Sequence, residues 1–402
     1  MKILFVNAVY GRGSTGIITR GLYNCCWKNH IDAYVAYPKG QGYEKCSGYE
    51  IGSLIDHKLH ALLSRIAGKQ AYFSIVSTRF FIKYIERIKP EIVHLHNLHS
   101  NYIHLNMLLK YLAEKDIITV ITMHDCWYFT GGCFHYANVN CSKWQDKCGS
   151  CPKRKDDTSA LLYDATSSIL IDRKSYLNAI PRLVLVGCSN WVSNECRKSV
   201  LSNRDIRTIY NGFDLKIFHP VDSLLRKDLS IQDKFVILAP ASKWLSALNK
   251  NVYTYFLENL SENMVLVLFG CKKDEMLNSS RVIKLGFIHS QSDMAKLYSM
   301  ADVFVNCSHE DTLSSLNLES QACGTPVVSY DATGNQETVG ENCGFVVNTG
   351  DYIQLYEKTL LVQKMGKRFF SKACQNFIRT SFDMESNFQK YIELYRECIS
   401  VV

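Results

Sequence analysis

The 402-residue sequence lacks the marks of several protein classes. No apolar run approaches the roughly 20 residues that a membrane-spanning helix needs. Nothing in it is of low complexity. With 47% hydrophobic and 21% charged residues it has ordinary globular composition. No Lys/Arg-rich stripe with interleaved aromatics stands out, and a net charge of +8 is mild for this length. Nucleic acid is therefore not an expected partner. The charge suits an anionic substrate or the anionic face of a membrane. The apolar start, Met1 to Val6, lacks a small-residue cleavage pattern after it. It reads as a first buried strand rather than a signal peptide, and a cytoplasmic location is expected. The length predicts two domains of roughly 150–200 residues.

Cysteine, by contrast, is plentiful. With no export signal, the 16 cysteines read as core thiols and metal ligands rather than disulfides. Five fall in an insert at 126–152, and its Cys148-x-x-Cys151 has zinc-knuckle spacing. Together with Cys133 and Cys141 it offers four thiolates on a loop too polar to bury much core, and His135 is an alternative ligand. The expectation is a structural zinc. The rival is a set of reduced thiols, some packed against apolar neighbours.

Short apolar runs alternate with helical patterns along the chain, which argues for parallel α/β layers. After the first strand, Gly11, Gly13 and Gly16 match G-x-G-x-x-G. A nicotinamide-type site wants an acid at the end of the second strand, but Ala33–Ala36 runs into Tyr37-Pro38-Lys39. The glycines read instead as a turn whose bare amides approach a substrate phosphate or sugar. Residues 51–89 and 160–180 read as helices. His94 and His96 share one side of a buried strand by period two and read as core histidines. His124-Asp125 closes the next strand at its carboxyl end.

The most informative stretch is Ala301 to Ser329. Val303 to Val305 reads as a buried strand, followed by a polar loop with Glu310 and Asp311. A helix is predicted over Ser314–Cys323, with Leu316 and Ala322 inward, Gly324 as its stop and Pro326 just beyond. The first amides of that helix, around Leu313 to Leu316, sit at the positive end of its dipole and suit a diphosphate, and Thr312, Leu313 and Ser314 are the donor-binding candidates there. Asp311 and Glu319 are too far apart to share one bond as a hydrolase pair does. They suit the two ends of a long ligand, a sugar and a ribose. The plainer alternative is that Asp311 caps the helix and Glu319 lies on the surface.

The stretch E-D-T-L-S-S-L-N-L-E-S-x-A-C-G-T-P-V-V, residues 310–328, resembles the C-terminal signature of family 4 glycosyltransferases, the retaining GT-B enzymes. Similar HDCW…C…C…CxxCP inserts occur in polysaccharide-forming members of that family. The resemblance covers most of the chain and is strongest at 209–220 and 300–330. It implies two facing Rossmann-like α/β domains with an interdomain cleft. It places an acceptor-side domain at 1–217, a nucleotide-sugar-binding domain at 218–382, and a C-terminal helix, 383–402, crossing back to the first domain. The first acid would touch donor sugar hydroxyls, with Glu310 and Asp311 both candidates because the family has Glu there. Glu319 would hold the ribose, His124 would face the sugar, and the Gly286-Phe287 turn would sit by the nucleobase. Lys243 and Lys250 would grip the diphosphate, although the family's cations stand five apart rather than seven and Leu248 occupies the simple register.

The implied reaction moves a sugar from a nucleotide diphosphate-sugar to a saccharide or lipid-linked saccharide, with retention and with no cofactor for catalysis. The implied setting is bacterial surface polysaccharide synthesis, with peripheral contact at the inner membrane. Two alternatives stand beside it: a nucleotide-sugar epimerase on the same fold, and a zinc-stabilised nucleic-acid binder.

Overall fold

The most apolar runs become strands buried along their whole length. All six residues of Ile118–Met123 and of Met264–Phe269 are buried, as expected of parallel sheets covered on both faces. The computed structural model describes residues 1–157, 159–272 and 279–400, so the last two positions of the expected C-terminal segment lie outside it. The chain forms two compact units, Met1–Asn211 with Glu385–Val402, and Gly212–Met384.

In the first unit the strands are β1 (Lys2–Val6), β2 (Asp32–Pro38), β3 (Gly48–Ile51), β4 (Ile92–Leu95), β5 (Ile118–Met123), β6 (Leu183–Gly187) and β7 (Asp205–Thr208). The helices are α1 (Gly13–Lys28), α2 (Leu54–Ala67), α3 (Ile75–Ile88), α4 (Leu105–Glu114), α5 (Thr166–Asn178) and α6 (Asn190–Arg197). Among the described residues the sheet order is β3-β2-β1-β4-β5-β6-β7, parallel at every pairing.

The second unit has α7 (Leu225–Asp228), β8 (Phe235–Pro240), α8 (Ala241–Trp244), α9 (Lys250–Asn259), β9 (Met264–Phe269), β10 (Val282–Lys284), α10 (Gln291–Met300), β11 (Val303–Asn306), α11 (Ser315–Ala322), β12 (Val327–Tyr330), β13 (Gly344–Val347), α12 (Tyr352–Met365) and α13 (Lys367–Ser381). Its sheet order is β10-β9-β8-β11-β12-β13, again parallel. Each sheet therefore reverses its winding once, at β1/β4 and at β8/β11. In open sheets of this type ligands bind outside the carboxyl ends of the strands at that point.

Helix α14 (Met384–Ser400) lies, from Glu385 onward, in the first unit. Its Tyr395 hydroxyl is 2.6 Å from His94 Nδ1, and Tyr391 is 2.9 Å from Thr122 Oγ1. Phe388 fills the space that a Cβ on Gly21 would take.

Several expected helices are shorter or divided. The helical stretch 51–89 is two helices, α2 ending on Gly68 in the left-handed region at φ 67°. Residues 160–165 form a loop, and Thr166 starts α5. Gly366, at φ 79°, separates α12 from α13. Ser189 caps α6, accepting from the Val192 amide at 3.2 Å.

Candidate active site

The second unit's winding reversal places two loops side by side, those leaving β8 and β11. Buried Trp244 pins the first by donating from Nε1 to the Val305 carbonyl at 3.1 Å. Asn249, also buried, ties the loops together. Its amide donates to the carbonyls of Lys243 (3.1 Å) and Cys307 (2.8 Å), and its Oδ1 lies 2.9 Å from His309 Nε2. His309 is pushed below its usual pKa by burial; the Glu310 carboxylate raises it and the Lys243 ammonium lowers it further. Lys243, His309 and Glu310 are therefore electrostatic neighbours. Lys250 stands exposed at the start of α9, so Asn249 and not Lys250 is the inner partner of the acid loop. Neither Asn249 nor His309 was singled out in the sequence, because one Asn between two lysines and one His before two acids carry no spacing signal.

The acid loop is held by backbone contacts. The Asp311 carbonyl accepts from the Gly334 amide at 2.9 Å and from Thr333 Oγ1 at 2.5 Å, while the Asp311 amide donates to Thr333 Oγ1 at 2.8 Å. Asp311 Oδ1 accepts from the Leu313 amide at 3.3 Å. Its carboxylate thus closes a local turn, and Ser314 takes the N-cap position of α11. A buried polar lattice lies beneath. Asn306 donates to Ser314 Oγ (3.1 Å) and Asn317 Oδ1 (2.9 Å), and Asn317 donates to Thr338 Oγ1 (2.8 Å). Such a satisfied network fixes the loop and the first turn of α11. Thr312 and Leu313 are buried at that turn, where the amides of a helix have no intrahelical acceptor.

Helix α11 is trimmed to Ser315–Ala322, and Leu316 is only half-buried; Leu318 takes the core place expected of it. Gly324 follows at φ 75°, the stop read from the sequence. Glu319 is half-buried rather than at the surface and accepts from the Tyr298 hydroxyl at 3.0 Å. Burial raises its carboxyl pKa to about 7, and the hydrogen bond from Tyr298 opposes the shift. Gly286 and Phe287 follow β10, both exposed, with Gly286 accepting from the Gly270 amide at 3.1 Å.

In the first unit, Gly11 (φ 79°) and Gly13 (φ 66°) require the left-handed backbone that glycine tolerates. The Gly11 amide donates to the Gly16 carbonyl at 3.1 Å. A Cβ on Gly16 would stand 3.1 Å from Val9 Cγ1, so its bareness serves packing, whereas Gly13 faces open space. His94 and His96 are fully buried and stacked at 4.2 Å, as core histidines. His96 Nδ1 is 3.0 Å from His124 Nε2. Burial holds His124 down to about 4, so the ring is neutral near pH 7. Asp125 lies 3.5 Å from His99 and accepts from the Trp127 amide at 2.8 Å.

The cysteine insert, expected to be too polar to bury much core, packs more than that. It builds an aromatic core of its own: Trp127, Phe129, Tyr136 and Trp144 are all buried, with Tyr136 stacked on Trp144 at 4.6 Å. Buried Arg173 donates to the Thr130 carbonyl at 2.5 Å and lies 3.9 Å over the Trp127 ring. Cys133, Cys141, Cys148 and Cys151 are free thiols lining one cavity of about 20 Å³. Among the described residues, no three His, Cys, Asp or Glu side chains stand where they could hold a metal ion.

Residues 240–363 match the family described as glycosyl transferases group 1. Over 98% of this chain and the whole of its own length, the colanic acid biosynthesis protein named glycosyl transferase WcaC, of Escherichia coli K12, is 20% identical. The N-acetyl-alpha-D-glucosaminyl L-malate synthase of Bacillus anthracis is 24% identical over 48% of this chain and 55% of that enzyme. Among solved structures, sucrose-phosphate synthase from Thermosynechococcus elongatus superposes with a TM-score of 0.70 at 16% identity, covering all of both chains. Anabaena HepE, solved with UDP, gives 0.66 at 14% identity over 99% of this chain and all of its own. These findings favour sugar transfer over epimerisation or nucleic-acid binding. The chain has the GT-B fold, carries a group 1 glycosyl transferase domain, and is a glycosyltransferase.

Proposed function

We propose that the chain transfers a hexosyl group from a nucleotide diphosphate-sugar to a hydroxyl of a saccharide or lipid-linked saccharide, with retention, in the cytoplasmic stage of surface polysaccharide synthesis. The observation that carries this reading is the pair of loops at the second unit's winding reversal. There Asn249 bridges the Lys243 and Cys307 carbonyls, Lys243 and Glu310 both act on His309, and Asp311 leads into the first turn of α11, with half-buried Glu319 four residues into that helix. The likeness to WcaC and to HepE, which was solved with UDP, supports the pathway and the donor class.

In this reading the first-turn amides of α11 and the Lys243 ammonium stabilise the departing diphosphate as charge develops on it. Ionised Glu319 accepts from the ribose hydroxyls, and the acid loop orients the sugar. His124, neutral at physiological pH, offers the sugar a hydrogen bond without adding charge. The leaving phosphate itself takes the acceptor's proton, so no protein nucleophile and no cofactor is assigned. Incubation with a panel of nucleotide sugars and an acceptor tests this, with the product's anomeric configuration read by NMR. A product with the donor's configuration is expected; an inverted product would remove the retaining assignment.

The four insert cysteines remain candidates for a structural zinc. Their shared cavity supports it, but the thiols must draw together, since as placed they form no ion-holding set. The expected result is about one zinc per chain by elemental analysis of protein purified without chelator, lost in a Cys148→Ser/Cys151→Ser variant. A metal-free protein with wild-type melting behaviour would mean that the aromatic core alone holds the insert.

A further inference from the structure

Helix α2 is built with its polarity reversed. The face turned into the protein carries buried His60 and Ser64, and His60 Nδ1 is 2.8 Å from Ser74 Oγ. The face turned outward carries Ile55, Leu59, Leu62 and Ile66, a helical stripe in which Ile55 is 80% and Leu62 55% exposed. An ordinary surface helix has the opposite arrangement, and scattered single apolar residues would need no explanation. This stripe continues. The Leu161 amide donates to the Arg65 carbonyl at 2.8 Å, bringing Leu161, Leu162 and Tyr163 to the end of α2, each more than 60% exposed. On α3, Val76 and Phe80 are exposed one turn apart, and Ser77 Oγ donates to Asp56 at 3.0 Å, joining that helix to the first turn of α2.

The charge around the stripe is predominantly positive. Residues 53–89 contain seven Lys or Arg and two acids, Asp56 and Glu86. Asp56 is engaged by Ser77. Lys58 and Arg65 flank the apolar row on α2, and Lys83 lies 5.7 Å over the Phe80 ring on α3. At 14 residues, α2 is about 21 Å long, too short to cross a bilayer but suited to lying in its surface.

We propose that the outward face of α2, with the start of α3 and the Leu161–Tyr163 loop, docks this unit on an anionic lipid bilayer. The apolar row enters the headgroup boundary and the surrounding cations meet lipid phosphates. A second copy of the chain is the less suitable occupant. A two-fold interface on this face would set Lys58 and Arg65 against their own copies. The proposal does not depend on the donor-site reading, because none of its residues belongs to that site.

The test is co-sedimentation of the full chain with phosphatidylcholine vesicles, with and without phosphatidylglycerol. Wild-type protein is expected to pellet with the anionic vesicles and to be released several-fold by 0.5 M salt. The Leu59→Glu/Leu62→Glu variant, altered only at exposed positions, is expected to lose at least about tenfold in partitioning. The Lys58→Glu/Arg65→Glu variant is expected to lose the preference for anionic lipid. Both should keep wild-type melting temperature and response to nucleoside diphosphates, which separates failed docking from failed folding or donor binding. Wild-type protein left in the supernatant would overturn the proposal, as would undiminished pelleting of both variants. A concentration-dependent dimer, broken by Leu59→Glu/Leu62→Glu and with no vesicle binding, would overturn it in favour of self-association.

Discussion

Replacing Glu319 by alanine is expected to abolish sugar transfer while the protein stays folded, since the side chain is half-buried and accepts a hydrogen bond from the Tyr298 hydroxyl. The pH dependence gives a sharper form of the same prediction. The folded carboxyl titrates near 7 and the unfolded one near 4.5. Between those values the folded chain holds a proton that the unfolded chain has released. This group's contribution to stability is therefore complete below about 4.5 and is lost as pH rises through 7. Glu319→Gln should remove that loss, so its melting temperature should gain on wild type from pH 5 to pH 8, by up to about 2–3 kcal/mol in stability. Ribose hydroxyls need the ionised carboxylate. Nucleoside diphosphate affinity should accordingly fall as pH drops below 7, by at most about tenfold per unit, and the slope should flatten in Glu319→Gln. Calorimetry at pH 6 and pH 8 on both proteins measures this. Full transfer activity in Glu319→Ala would remove Glu319 from the site.

The second large effect is expected at Gly334→Ala. A Cβ there would lie 1.9 Å from the Thr312 carbonyl oxygen and 2.6 Å from its carbon, and backbone cannot yield as a side-chain tip can. Either the acid loop or the loop 333–335 must move. Both the 2.9 Å bond from Gly334 N to the Asp311 carbonyl and the register of Glu310 and Asp311 would be lost with it. A destabilisation of about 1–3 kcal/mol is expected. Transfer should fall about a hundredfold, because a displacement near 1 Å at positioning groups has that effect. Melting temperature and kcat/KM read the two parts separately. Wild-type rates in Gly334→Ala would show that the acid loop does not need its observed position.

Much of this architecture was legible because it rests on local rules. Fully apolar strands such as Val303–Val305 and a helix stop at Gly324 each follow from one or a few adjacent residues. The misses rest on tertiary context. Gly68 divides a stretch that reads as a single helix, because a glycine inside a periodic pattern gives no sign of whether its φ will be positive. Leu316 and Leu318 are equally apolar, and only the direction of α11 over the sheet decides between them. Asn249 and His309 matter through contacts 60 residues apart in the chain, which no window can reveal. The cysteine insert was misread for a related reason: its aromatic cluster assembles Trp127, Phe129, Tyr136 and Trp144 from separated turns, so the segment looked too polar to pack.

The central claim is a nucleotide diphosphate-sugar site in the second unit, at the loops leaving β8 and β11. Its most direct test is calorimetric titration of wild type and Glu319→Ala with UDP, GDP, ADP and NAD. The account predicts binding of one nucleoside diphosphate by wild type, weakened at least about tenfold in Glu319→Ala, with NAD silent. Binding of NAD alone would contradict it and return attention to Gly11, Gly13 and Gly16. Equal binding of the diphosphate by both proteins would contradict the placement of the site.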